Sequence, residues 1–224
     1  MDVNSSYRRT VLSQDNLSVS QNEPIADFVF AHGAGAGKDS DFMQQMAELL
    51  EKRGIKVHLF NFEYMAQALL NKKRRPPSKM PILCDDFKKV VQDVVDNREV
   101  PRPLFIGGKS MGSRVACEVA SKEAFSISGT IAYGYPFHPP KKPEKSRLET
   151  LTQQTQPCLV VQGESDALGS QSEIQEFDLP DNIRMHFIST ANHDLKPLKR
   201  SGLSHDESLT MSADETLAFI KEVI

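Results

Sequence analysis

Short apolar runs rich in β-branched and aromatic residues alternate along this chain with longer amphipathic ones, and that alternation restricts the fold more than any other feature. The strand candidates are residues 25–31, 56–62, 103–107, 129–135, 157–162 and 184–189. Between them Phe42, Met46, Leu49 and Leu50 fall at i, i+4, i+7 and i+8, while Leu83, Phe87, Val90, Val91, Val94 and Val95 repeat on one helical face. A third helix is expected over Met111–Lys122 and a last one from Ala213 to the C-terminus. Ser170 with Glu173, and Ser212 with Glu215, have the spacing of capping boxes that open helices. Strands that alternate with helices need crossover connections, so the chain is expected to form an α/β protein with a mostly parallel sheet covered on both faces.

At 224 residues the chain is long enough for one medium domain or two small ones. No internal repeat or shift in composition marks a linker, and a single domain over residues 1–224 is expected, with residues 1–24 as a peripheral segment. The segments 71–81 (NKKRRPPSKMP) and 135–143 (YPFHPPKKP) read as ordered excursions that directly follow strands. No apolar run approaches the ~18 residues needed to cross a bilayer, so no membrane association is expected. With 27 Lys and Arg against 30 Asp and Glu, no excess of positive charge proposes nucleic acid as a partner. Cys84, Cys117 and Cys158 are odd in number and far apart, which suggests neither a disulfide framework nor a zinc site. The polar first 24 residues contain no signal-peptide core, and a cytoplasmic location follows as the simplest expectation. The histidines and cysteines show no ligand spacing, so neither metal nor cofactor is proposed.

In an open parallel sheet, ligands bind beyond the carboxyl ends of the strands. After the third strand comes Gly107-Gly108-Lys109-Ser110-Met111-Gly112, in which Gly108-x-Ser110-x-Gly112 fits a nucleophile elbow. Such a turn leaves no room for side chains two residues to either side of the serine and lifts its hydroxyl into the crevice. A serine hydroxyl is a poor nucleophile until a base takes its proton, and the base needs a carboxylate to fix its tautomer. Asp166 follows the fifth strand and His193 the sixth, giving the order serine, acid, histidine. Glu164 and Asp194 compete for the acid role, but Asp166 precedes a turn and a capped helix. His205 competes with His193, which lies closer to its strand. The glycine-rich loop from His32 to Gly37 follows the first strand, so the backbone N–H groups of Ala34 and Met111 are the candidates for an oxyanion hole. His32 is expected to brace this loop and not to act as the base.

The segments HGAGAG, GGKSMGSR, GYPFHPPKKPEK and VQGESDALG resemble an α/β-hydrolase-like family. It is shared by a testis-expressed protein, a subunit of the NSL chromatin complex and many small bacterial proteins, and is related to dienelactone hydrolases. The resemblance runs from about Phe28 to His193. It implies an α/β-hydrolase fold with little or no cap and a triad at Ser110, Asp166 and His193, and it does not supply a substrate. Ser113 departs from the glycine of the family's GGKSMGGR pattern, a change expected to perturb the helix start only slightly.

The expected activity is a serine hydrolase that cleaves a carboxylic ester or thioester through an acyl-enzyme. One alternative is a hydrolase-fold interaction module without turnover. Another is a dinucleotide-binding oxidoreductase, because Gly33-x-Gly35-x-Gly37 approaches that fingerprint and Glu63 ends the next strand candidate; the third glycine is however misplaced, with Lys38 in its position. A phosphate-binding loop would need glycine at Pro103. Three segments assigned to the rim of the crevice, residues 63–80, 136–150 and 193–205, hold twelve Lys and Arg against four Asp and Glu. Their placement leads to the expectation that this rim, with Lys109, Arg74 and Arg75, favours an anionic substrate or an acidic partner.

Overall fold

The computed structural model describes residues 23–122 and 125–224. The expected peripheral segment 1–24 lies almost wholly outside the described residues. Six strands, β1 (Ala26–Ala31), β2 (Ile55–Phe60), β3 (Leu104–Lys109), β4 (Gly129–Tyr133), β5 (Cys158–Gly163) and β6 (Ile183–Ile188), form one sheet in the order β2-β1-β3-β4-β5-β6. Every pairing is parallel. All six expected strands are present, their ends displaced by at most two residues.

Alternate residues of each strand feed different layers. Phe28, Phe30, Phe105, Ile131 and Tyr133 are buried under α1 (Asp41–Glu51) and α7 (His205–Val223), in a cluster completed by Met46, Leu50, Leu209 and Phe219. Val29, Ala31 and Ile106 face the other way, onto α3 (Met80–Asn97) and α4 (Met111–Lys122), through Leu83, Phe87, Val91, Val115 and Val119. The periodic faces of the sequence are therefore the faces that cover the sheet. No helix among the described residues is long and apolar enough to cross a membrane.

Three expectations need correction. The final helix begins at His205, eight residues before Ala213, and its capping box is Ser204 with Glu207. Ser212 is buried inside that helix, where its hydroxyl donates to the Ser208 carbonyl at 2.7 Å, and Glu215 pairs with Arg184 at 3.0 Å. The segment 71–81 does not follow a strand: α2 (Glu63–Leu70) intervenes, and Glu63 opens that helix where a strand end was expected. Two further short helices were not anticipated as such or only by their cap: α5 (Leu148–Thr152), and α6 (Gln171–Ile174), whose Ser170–Glu173 capping box is formed.

The sheet order sets the site. From β1 the chain moves outward to β2, then returns across β1 to β3 on its other side. Loops leaving β1 and β3 consequently part company at the carboxyl edge of the sheet, which opens a crevice between them. In register, Gly108 of β3 lies beside Ala31 of β1 and Ala132 of β4, so Ser110 emerges at this switch point.

Candidate active site

Ser110 joins β3 to α4 with φ at +53°, a left-handed conformation that costs a non-glycine residue ~1–3 kcal/mol. The surroundings hold it there. Its N–H continues the ladder to the Tyr133 carbonyl at 2.9 Å, and its carbonyl accepts from the Ser113 hydroxyl at 2.6 Å and the Arg114 N–H at 3.2 Å. Ser113, the departure from the expected glycine, is thus a fully buried brace of the turn. The flanking glycines are required by close approach: a Cβ on Gly108 would lie 2.4 Å from the Gly112 carbonyl carbon, and one on Gly112 would lie 2.5 Å from the Ala31 carbonyl oxygen.

Asp166 and His193 arrive from the loops after β5 and β6. Asp166 is 1% exposed and its carboxylate is fully engaged: Oδ1 accepts from the Leu168 N–H at 2.8 Å, and Oδ2 accepts from Gln162 Nε2 at 2.9 Å and His193 Nδ1 at 2.8 Å. With Nδ1 donating to a carboxylate, Nε2 is the lone-pair nitrogen, and it stands 2.8 Å from Ser110 Oγ as acceptor of the hydroxyl proton. The His193 loop is shaped by Asn192 Oδ1, which accepts from the N–H groups of Asp194 at 3.0 Å and Lys196 at 3.1 Å. Ser110, His193 and Asp166 therefore form a continuous chain of hydrogen bonds. The competing acids are occupied elsewhere: Glu164 accepts from the Thr190 N–H and the Ser189 hydroxyl, and Asp194 is exposed and pairs with Lys109 at 3.4 Å. His205 opens α7 and its Nε2 donates to the Asp194 carbonyl at 3.0 Å.

Ala34 and Met111 flank the same cavity as Ser110. Met111 is the first residue of α4, where backbone N–H groups lack intrahelical partners. The glycine-rich loop is fixed at two points. His32, fully buried, donates from Nδ1 to the Gly33 carbonyl at 2.7 Å and accepts at Nε2 from the Phe62 N–H at 3.1 Å. Burial holds its pKa below the usual histidine range, which keeps the ring neutral in this bracing role. Tyr64 donates to the Ala34 carbonyl at 3.1 Å and so fixes the orientation of that peptide.

The basic residues expected around the site fare differently. Arg74 and Arg75 line neither cavity at Ser110; they lie on an exposed segment after α2, where Arg75 donates to Gln67 Oε1 at 2.7 Å. Lys109 does line the larger cavity, but its ammonium is directed inward, donating to the His193 carbonyl at 2.6 Å and sitting 5.4 Å from the Phe42 ring centre. Burial lowers its pKa, against the opposing pull of Asp194 and Asp166. Sequence reading passed over Gln162, Tyr64 and Arg114, and reached Arg147 only as part of the basic rim segment 136–150, which does bring Arg147 to the cavity. Of these only Gln162 carried a local signal, as a lone polar residue in the apolar run Cys158–Gly163.

Two cavities meet at Ser110. The larger, of about 620 Å³, includes His193, Asp194, Lys109, Phe42 and His205. The smaller, of about 290 Å³, includes Met111, Arg114, Arg147, Pro136 and Leu168, and Ala34 borders both.

This parallel sheet with a strained serine at its switch point defines the α/β-hydrolase fold. The profile of the alpha/beta hydrolase domain family matches residues 24–221, and the chain belongs to that family. Among solved structures it is similar to a dienelactone hydrolase from Anabaena variabilis, at 18% identity over 90% of this chain and 88% of that one with a TM-score of 0.64. An alpha-beta serine hydrolase homologue from Coxiella burnetii gives a TM-score of 0.66 at 18% identity, covering 90% of this chain and 86% of that one. An esterase from Pyrococcus furiosus gives 0.64 at 18% identity, over 89% and 81%.

Proposed function

We propose that the protein is a cytoplasmic serine hydrolase that cleaves a carboxylic ester or thioester through an acyl-enzyme. The observation that carries this reading is the pair of 2.8 Å contacts from Ser110 Oγ to His193 Nε2 and from His193 Nδ1 to Asp166 Oδ2. In the first step Ser110 Oγ bonds to the carbonyl carbon while its proton passes to His193 Nε2. Negative charge collects on the former carbonyl oxygen, which the N–H groups of Ala34 and Met111 stabilise. The intermediate collapses with cleavage of the bond to the leaving oxygen or sulfur, and His193 returns the proton to that atom. Water then attacks the acyl-enzyme, His193 takes its proton, and Ser110 leaves reprotonated as the acid departs. Asp166 fixes the imidazole tautomer and stabilises the imidazolium formed in each half-reaction.

The likeness of the HGAGAG and GGKSMGSR segments also supports kinship with the branch shared by the testis-expressed protein and the NSL-complex subunit. The cytoplasmic reading rests on cysteine usage: Cys84, Cys117 and Cys158 are all free thiols. A fluorophosphonate probe tests the chemistry. Wild-type protein is expected to be labelled at Ser110, Ser110→Ala not at all, and short-chain esters to be hydrolysed by the wild type alone. Folded wild-type protein that is neither labelled nor active on such esters would overturn the reading in favour of an interaction module.

A further inference from the structure

Arg114 lies one helical turn beyond Ser110 and, with Arg147 from the start of α5, forms part of the wall of the 290 Å³ cavity. The unusual feature of these two guanidinium groups is what they lack. Neither makes a hydrogen bond or ion pair through its side chain among the described residues, and Arg114 Nε is buried without a partner. Glu118, at i+4 from Arg114 on the same helix, is the natural partner. Its carboxylate is bonded instead to Lys122 and, at 2.8 Å, to the Thr150 hydroxyl, and it acts on Arg114 only through space. Burial, and then the positive charge of Arg114, push the Arg147 guanidinium below its usual range. Two half-buried like charges left side by side are unfavourable until an anion joins them, and the planar guanidinium fork suits a carboxylate.

The position of Arg147 is rigidly specified. Its N–H donates to the Phe137 carbonyl at 2.8 Å and its carbonyl accepts from the Tyr135 hydroxyl at 2.9 Å. The Tyr135 carbonyl in turn accepts from Gln162, the residue that also donates to Asp166. The Arg147 backbone and the Asp166 carboxylate are therefore tied to one hydrogen-bonded framework.

Which half of a substrate meets this wall follows from proton transfer. The leaving atom must come within reach of His193 Nε2, and His193 borders the larger cavity but not the smaller. The acyl chain, on the other side of the carbonyl carbon, is directed to the smaller cavity with Met111, Arg114 and Arg147. We propose that Arg114 and Arg147 form a carboxylate-binding subsite on the acyl side of Ser110, so that the favoured substrates are hemiesters or hemithioesters of short dicarboxylic acids. Its volume, at the lower end of the ~300–1,000 Å³ span of ligand sites, limits the acyl chain to a short one. This inference rests on the serine-hydrolase reading and names its substrate class.

The test compares monoethyl glutarate with ethyl pentanoate, which has the same acyl chain length without the charge, and with carboxymethyl pentanoate, which carries the charge on the leaving side. In the full chain, kcat/KM for monoethyl glutarate is expected to exceed that for ethyl pentanoate by about tenfold or more, the scale of a charge-assisted hydrogen bond. Arg114→Gln with Arg147→Gln should bring this ratio near one, and Arg147→Lys should restore part of it. A wild-type ratio near one, a ratio unchanged in the double variant, or a preference for carboxymethyl pentanoate would overturn the subsite. Thermal melting of each variant identifies loss of fold. Calorimetry with glutarate on Ser110→Ala, with and without the two arginine substitutions, reads the subsite without turnover. Binding abolished by the arginine substitutions, together with a wild type that hydrolyses none of the three esters, would sink the hydrolase reading and keep the anion site. Absence of glutarate binding together with hydrolysis of ethyl pentanoate but no hemiester preference would do the reverse.

Discussion

The two cavities that meet at Ser110 both contain positive charge, yet the charge is partnered in one and unpartnered in the other. In the larger, the Lys109 ammonium is bound by the His193 carbonyl and by Asp194, inside the protein's own framework. In the smaller, Arg114 and Arg147 have no such partners among the described residues. A third population, Lys72 to Arg75, is dense in the sequence but exposed to solvent. The comparison teaches that the number of basic residues near a crevice says little about what it binds. What marks a charge as available to a ligand is that it is partly desolvated and that the fold has left it without a hydrogen-bonded counterion.

Three variants test that contrast. Asp166→Asn removes what both cavities share, the fixed imidazole tautomer, and is expected to lower kcat by about 10³–10⁴-fold on acidic and neutral esters alike. Steady-state kinetics on monoethyl glutarate and ethyl pentanoate would check it, and a loss confined to one ester would contradict a common mechanism. Lys109→Met unties the His193 loop from β3 and should cost about tenfold in kcat, roughly the value of a lost hydrogen bond to a charged group. Because Lys109 positions His193 and does not bind the acyl chain, the ratio of kcat/KM between the two esters should stay constant; a fall in that ratio would place the lysine in substrate recognition after all. The smallest effect belongs to the solvated cluster. Charge reversal by Arg74→Glu with Arg75→Glu should change the ester preference by no more than about twofold, since exposed charges are screened within ~10 Å.

Much of the site was legible before the fold was known, because its chemistry is carried by loops whose neighbours are apolar strands. The strands for Ser110, Asp166 and His193 stand out as β-rich runs, and the order of the three residues follows from the order of the strands. The glycines at 108 and 112 are visible for a steric reason: nothing larger fits between β3, α4 and the loop after β1. Other elements were hidden. The buried face of α7 interleaves Leu209, Ala213, Phe219 and Ile220 with Ser208, Ser212 and Thr216, whose hydroxyls donate to helix carbonyls such as those of His205, Ser208 and Ser212. Satisfied hydroxyls among the apolar residues interrupt the stripe, so the first two turns of this helix read as polar loop and Ser212 as a cap. Helix α2 escaped for the converse reason: Tyr64 is its one buried residue, while Leu69 and Leu70 are exposed at 54% and 83%, so its apolar residues do not trace a core-facing face.

The sequence by itself determined the α/β class, the strand order in the chain, the elbow at Ser110 and the loops that supply Asp166 and His193, because local periodicity and close-packed glycines depend on neighbours along the chain. Which charges are bonded within the protein and which line a cavity at Ser110 without such a bond was set by the tertiary structure alone. Lys109 is adjacent to Ser110 in sequence but is captured by a carbonyl 84 positions away, whereas Arg147, at the start of α5, lines the cavity together with Arg114. Electrostatic environment is set by burial and by partners distant along the chain, and neither can be read from spacing alone.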